Sequence, residues 1–520
     1  MSPVSVRFIG SLRRVRRNSA LAVDIAVALA GLVHGACAAS LGAQALPPRV
    51  YSVAELREDF GVLRRALVDG DPGVYRYTAP LAVRRAFDST LTLLDTGMTA
   101  VQFFGVVAPA VALIRDGHAN VRLPDTTLAN WRAGELFLPF VVHVRHGRVV
   151  VFRDLSDGRD QAAGGTMESV NGMPADRLVA LFLRATTGDG DVRSSRELDI
   201  SGLAFVENVN LLAGLRAPFT VTIRPPGAAH VTVLHFPGTP REALRDAWHA
   251  RYPGDIELRT VRPPTEFRLL DSARVAILTI PGWGSSQADA DKRDLRGTFR
   301  RAFATMRDSG TRVLIIDVRN NGGGEDEPAR VLFSYIAQRP FRWYDRIIVN
   351  DTSRYSFAKY IVEPDSFDPG MLRRRADGRY DLVGESSLGR VFQPAVQPFG
   401  GAVFALMNGG SFSTSTEFVA QLKASRRATL LGEESGGAFQ GNNSGFEPVL
   451  ALPNTGLKLR LPLASYYMAV SGHGGDRRGV MPDVPLSPTL REEQGGADPV
   501  LTAALAIARR CMRRSCRVGE

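Results

Sequence analysis

Two stretches of this 520-residue chain carry residue types suited to nucleophilic chemistry. The first, Asn408-Gly-Gly-Ser-Phe-Ser-Thr-Ser-Thr-Glu417, follows the apolar run Ala402 to Met407. A serine at a strand-to-helix junction puts its hydroxyl at the carboxyl edge of a sheet, and the positive end of the helix favours an anion beside it. The same residues also suit plain capping, because Thr414 and Glu417 have capping-box spacing. The second stretch, Arg312-Val-Leu-Ile-Ile-Asp-Val-Arg-Asn-Asn-Gly-Gly-Gly324, reads as a buried parallel strand and then a polar, glycine-rich corner, where an α/β sheet opens into a ligand crevice. Glycine allows close backbone approach and lets N–H groups turn outward, so the corner could hold a developing negative charge; it would serve equally as a tight turn. A third piece, Arg115-Asp-Gly-His118, would end a helix at its glycine and present a histidine, as a base or as a surface cap.

These residues need elements to position them. Ser52-Val-Ala-Glu55 has capping-box spacing ahead of Leu56, Phe60, Leu63 and Leu67 on one helical face. Thr99-Ala-Val-Gln102 opens a second helix that Pro109 should kink, so residues 46–135 read as a helical N-terminal unit carrying His118. The period then changes to two: Phe140 to Val144 and Arg148 to Phe152 flank His146-Gly147 as a hairpin. Gly165 to Gly172, an amphipathic Ala175 to Leu183, and strands near Phe219 to Ile223 and Val231 to Phe236 suggest a PDZ-like module over 136–240, whose groove would bind an extended peptide by strand addition. Proline-rich residues 241–265 read as a linker. Residues 266–495 then alternate as βαβα through strands Val275 to Ile280, Val313 to Asp317, Ala402 to Met407 and Ala428 to Leu431, a mixed α/β domain. Asp498-Pro499 starts a last helix in a C-terminal segment, 496–520.

Composition bounds the class. With 44% hydrophobic and 22% charged residues the chain can bury a large core in two or three domains. Its net charge of +11 falls to +7 once the first 45 residues, with five arginines and one aspartate, are set aside; the remainder is spread along the chain and implies no nucleic-acid partner. Residues 1–45 have the order of an export signal: Arg13, Arg14, Arg16 and Arg17, an apolar run from Ala20 to Ala39, then Ala43-Gln-Ala45. Asp24 and His34 interrupt the run and argue against a permanent span. Cys37 follows His34-Gly-Ala36, a poor lipid-attachment site, so membrane association is expected only through an uncleaved signal or, second, a lipid anchor. Export to the periplasm or beyond is the expectation. Cys511 and Cys516 could close a small loop in an oxidising compartment or stay free.

Asp317-Val-Arg-Asn-Asn-Gly-Gly-Gly324, the Ser/Thr turn with Glu417, Gly432-Glu433 after an aliphatic strand, and Gly479-Val-Met-Pro-Asp483 stand in the order seen in the tail-specific, or carboxyl-terminal processing, serine protease family. The chain resembles that family, which includes the tricorn protease core and the interphotoreceptor retinoid-binding protein, over nearly all of residues 46–520. The resemblance implies an α/β catalytic domain of crotonase-like βα pattern, with Ser413 as nucleophile, five residues before Phe418 and nineteen before Gly432. Ser411 and Ser415 compete with it. Backbone N–H groups of Gly323, or Gly322, and Thr414 would form the oxyanion hole.

The chain departs from the bacterial processing proteases in one respect. Their lysine base follows the Gly-Glu turn, and here that stretch is Gly432-Glu-Glu-Ser-Gly-Gly-Ala438. The branch resembling tricorn takes a histidine from the N-terminal part, which matches His118 in its Asp-Gly-His setting. His473 is the other candidate base or a substrate contact, and Asp476 and Glu434 are candidates to orient the base. The resemblance implies a serine peptidase acting on a peptide or protein, with no metal or nucleotide cofactor. A second reading is an inactive scaffold that holds a peptide or an apolar ligand. For hydrolysis, His118 and Ser413 must meet where the N-terminal unit covers the carboxyl edge of the sheet.

Overall fold

Six strands form the sheet at the centre of the fold, in the spatial order Glu266–Leu270, Val275–Thr279, Val313–Asp317, Ala402–Met407, Thr429–Gly432 and Val484–Pro485. The first pair is antiparallel and the other four are parallel. The computed structural model describes residues 48–157, 160–255, 263–270, 274–284, 294–352, 355–383, 389–471 and 477–513. The expected signal, together with His473, Asp476 and Cys516, lies outside them.

The strands are apolar on both faces because both are covered. Ala276, Leu278, Leu314, Ile316, Val403 and Ala405 face the larger core, which helices Leu295–Asp308, Asp326–Ser334 and Thr414–Ala424 share. Val275, Ile277, Val313, Ile315, Phe404 and Leu406 face Val500, Ala504 and Ala508 of the C-terminal helix Pro499–Arg513. Near-continuous apolar strands of this kind follow from crossover helices placed on the sheet faces. Arg319, just past its strand, forks onto Asp317 and Asp498 and so fastens the start of that helix to the carboxyl edge.

The N-terminal helices begin where the sequence says they should. Ser52 and Glu55 close a capping box on helix Val53–Arg65, and Leu56, Phe60 and Leu63 are buried. Thr99 and Gln102 do the same for helix Ala100–Ala112, which holds Pro109 in its last turn. Helices Pro80–Leu93 and Asp125–Ala133 were not foreseen. The connection after Ala112 runs through Asp116-Gly-His118 into strand Asn120–Arg122, which pairs antiparallel with Lys458–Arg460 and thereby ties the N-terminal elements to the C-terminal half.

Residues 136–240 contain the expected hairpin, Phe140–Arg145 with Arg148–Asp154, turning through His146 and Gly147, both at positive φ. Its sheet continues through Thr166–Val170, Phe219–Arg224 and Thr232–Phe236, with helix Ala175–Ala185 packed against it. The stretch expected as a linker differs: Arg241–Arg251 is a helix. Leu244 and Trp248, four apart and buried, anchor it in the core of this module, and an i, i+4 apolar pair outweighs the proline-rich flanks. A second β-rich layer, including Tyr344–Val349, Tyr380–Leu382 and Ala464–Met468, was not foreseen.

Candidate active site

The strands Val313–Asp317 and Ala402–Met407 are parallel neighbours, so the turns leaving their carboxyl ends lie side by side. Asn408 binds both: its side-chain oxygen accepts from the Asn320 amide and its Nδ2 donates to Asn320 Oδ1. Ser413 is the N-cap of helix Thr414–Ala424 with φ 52° and ψ −125°, a left-handed conformation that a non-glycine residue holds only at a cost of roughly 1–3 kcal/mol. Its side chain makes no capping bond. The strained turn therefore leaves the hydroxyl free for another partner.

That partner is His118, whose Nε2 lies 3.2 Å from Ser413 Oγ. The histidine is buried, not a surface cap, and its ring stacks on Phe412 at 4.7 Å between centroids. Gly117 permits this approach, since a Cβ there would fall 2.7 Å from the Phe412 ring. Burial pushes the imidazole pKa down to about 3, with the Arg460 charge acting in the same direction, so the ring is neutral at neutral pH and has one nitrogen lone pair available.

The competing serines are otherwise engaged. Ser411 Oγ donates to the Val318 carbonyl at 2.8 Å and accepts from the Asn408 amide, and Ser415 Oγ accepts from Trp283 Nε1 at 2.8 Å. Both are buried. The capping alternative does not form either: Thr414 Oγ1 donates to the Gly324 carbonyl, and Glu417 turns inward to accept from Trp343, Tyr344 and Asn442.

Gly323 lines the same pocket at φ 105°, and a Cβ there would lie 2.7 Å from the Ser413 Cβ. Its N–H, however, donates to Asn321 Oδ1 at 3.0 Å. That bond competes with the oxyanion role expected of the Gly323 amide. Thr414 is the first residue of its helix, where N–H groups have no intrahelical acceptor.

Glu434 does not orient His118. It pairs with Arg478 and accepts from the Gly479 amide, because the Gly432-Glu433 turn aims it at that loop. The carboxylates near the histidine are Asp116 and Asp189. Asp116 Oδ1 accepts from the His118 amide at 2.8 Å, and its Oδ2 accepts from Asn443. Asp189 accepts from the Gly117 amide at 2.8 Å and from the Ala438 amide at 3.2 Å, joining the histidine step to the turn after Gly432. Burial raises both pKa values, for Asp116 to about 7 with the Asp189 charge adding to it. The sequence shows Asp116 only as context for His118, and Asp189 in Gly188-Asp-Gly190-Asp191 reads like an ordinary loop. Only the fold brings them together.

Residues 274–486 match the family described as Peptidase family S41. No curated protein matches the chain. Among solved structures, it is similar to mature CPAF at 17% identity and TM-score 0.59, covering 90% of this chain and 99% of that one. Mature CPAF complexed with lactacystin gives 16% identity and TM-score 0.57, covering 89% and 98%. At such identities the likeness establishes the fold.

Proposed function

We propose, from the premise that the chain carries a peptidase family S41 domain and is a serine-type peptidase, that it cleaves peptide bonds through an acyl-enzyme on Ser413 with His118 as general base. The observation that carries this reading is the 3.2 Å approach of His118 Nε2 to Ser413 Oγ, at a serine held in a strained turn on the sheet edge. Ser413 Oγ attacks the peptide carbonyl carbon as its proton passes to Nε2. The tetrahedral oxyanion sits against the amides of Gly322 and Thr414. Collapse breaks the C–N bond, and His118 returns the proton to the leaving amine. A water then attacks the ester, giving its proton to Nε2, and the second collapse releases the carboxylate product and restores the Ser413 hydroxyl.

The imidazolium formed in each step needs compensation in a buried site. Asp116 and Asp189, each with a carboxylate oxygen within 4.8 Å of a ring nitrogen of His118, are placed to supply it without hydrogen-bonding the ring. The 136–240 module, PDZ-like in its order of hairpin, Asn-Gly turn and helix, is proposed to present an extended peptide to this site.

Export is proposed as well. The arginine-rich start, apolar run and Ala43-Gln-Ala45 support it, as does Cys511, which is disulfide-bonded. A fluorophosphonate probe should label the wild-type chain at Ser413 and leave Ser413→Ala unlabelled. Labelling of neither chain under conditions where a control serine hydrolase reacts would refute the acyl-enzyme reading.

A further inference from the structure

We infer that Asp116, His118 and Asp189 form a binding site for a borderline divalent cation, Zn²⁺ by ligand chemistry, and that occupancy switches the peptidase off. One ligand atom from each residue lies within 4.8 Å of the others, and all three residues are buried. Imidazole nitrogen with carboxylate oxygens is a donor set that zinc takes.

An acidic cluster alone would not carry this. The independent observation is His118 Nδ1, buried and without a hydrogen-bond partner among the described residues, although Nε2 is engaged by Ser413. Nδ1 is the ring nitrogen nearer the main chain, the side on which Asp116 Oδ1 accepts the His118 amide. The ligands also have the support that metal ligands require. Both Asp116 oxygens and both Asp189 oxygens accept N–H donors, from His118 and Asn443 and from Gly117 and Ala438 respectively, which fix the carboxylates.

Charge points the same way. Asp71, also fully buried, interacts with Asp116, and one of its oxygens is held by the Gly73 amide. None of the three aspartates has an ion pair among the described residues. The nearby guanidinium of Arg76 gives its N–H groups to the carbonyls of Gln440, Asn442 and Tyr466 and to Asn443 Oδ1 instead. Burial keeps these carboxylates costly even with the Arg76 charge acting on Asp71 and Asp189, and a divalent ion would neutralise two of them.

The inhibitory consequence follows from tautomer chemistry and rests on His118 being the base. A neutral imidazole has one nitrogen lone pair. If Nδ1 gives that pair to a metal, Nε2 carries the proton, donates to Ser413 Oγ and cannot accept from it. Acylation then stops without any change in the serine.

Binding can be measured apart from turnover. In the full chain carrying Ser413→Ala, competition with a chromogenic chelator should show one Zn²⁺ bound per chain, and adding Asp189→Asn should weaken it at least about tenfold. In the unsubstituted chain, Zn²⁺ should inhibit hydrolysis and a chelator should restore it. Because Asp189→Asn removes a tie between two loops and its chain could fail to fold, crystals of the unsubstituted chain soaked in Zn²⁺ give a second readout: an anomalous peak at the zinc edge between Asp116, His118 and Asp189. No binding at micromolar free zinc, an Asp189→Asn affinity equal to its parent, or a peak elsewhere overturns the inference. Bound zinc in a chain that never hydrolyses peptides would instead sink the peptidase reading and leave the site standing.

Discussion

His118 Nε2 and Ser413 Oγ stand 3.2 Å apart across 295 residues of sequence, and two different structural devices bring them there. Ser413 is placed by its own strand and helix. His118 is placed by the pairing of Asn120–Arg122 with Lys458–Arg460, two residues downstream of the imidazole. Ser413→Ala should therefore abolish hydrolysis and shift the thermal midpoint little, because the hydroxyl makes no capping bond. Ser411→Ala and Ser415→Ala should lose stability instead, each leaving a buried partner unsatisfied at about 1–3 kcal/mol. Retained turnover in Ser413→Ala would move the nucleophile elsewhere.

Removing the base should cost less than removing the nucleophile. His118→Ala should lower kcat about 10²- to 10⁴-fold, the usual contribution of a positioned general base, with KM little altered. Unchanged kcat would show that proton transfer runs through another group.

The sheet and the position of the residues at its edge were legible in sequence because each is local: an apolar strand followed by glycines or serines marks its own carboxyl end. Val313–Asp317 and Ala402–Met407 have the expected bounds. The surroundings of His118 were not legible. Asp189 reaches Gly117 from 72 residues away and Ala438 from 249, and nothing in a short window of sequence encodes such a meeting. The place of Glu417, for which helix capping was one of two readings and which is found among Trp343, Tyr344 and Asn442, has the same origin: its donors come from an unforeseen β layer and its neighbouring loop. Helix Arg241–Arg251 was hidden by the prolines around it, although Leu244 and Trp248 carried its one apolar stripe.

Gly323 tests how tightly the pocket is built. At φ 105°, with a new Cβ meeting Ser413 Cβ at 2.7 Å, Gly323→Ala has to displace either its own turn or the nucleophile. Activity should fall at least about 10²-fold, as a misplacement of about 1 Å can cost that much. Stability should fall by about 1–3 kcal/mol from backbone strain. An alanine variant with full activity would mean that the turn has room the close contact denies.

Asp59 offers a remote test of how His118 is held. This buried carboxylate accepts from the amides and side chains of Asn454 and Thr455, at the turn leading into strand Lys458–Arg460. Asp59→Ala should cost at least about 3 kcal/mol in urea unfolding, since several charge-assisted bonds go together. It should also reduce kcat at temperatures where the chain remains folded, because the displaced strand is the one paired with Asn120–Arg122. A stability loss with kcat intact would separate this turn from the site.

Glu417 supplies the pH dependence of stability. Burial pushes its pKa up from 4.5 to about 7, with the Asp326 charge adding to the rise, and hydrogen bonds from Tyr344, Trp343 and Asn442 only partly oppose it. The sign follows from proton binding. Below about pH 4.5 the carboxyl is protonated in both folded and unfolded chains and carries no penalty. Between 4.5 and 7 the unfolded chain releases the proton while the folded chain keeps it, so this group's contribution to stability declines as pH rises and is gone above about 7. The shift corresponds to about 3 kcal/mol at most. Glu417→Gln keeps the shape and has no proton to lose. Measured by denaturant unfolding at pH 5 and pH 8, the wild type should lose stability relative to Glu417→Gln as pH rises, and the gap should open mainly below pH 7. Parallel stability curves for the two chains would show that the three donors hold Glu417 ionised and that burial does not govern it.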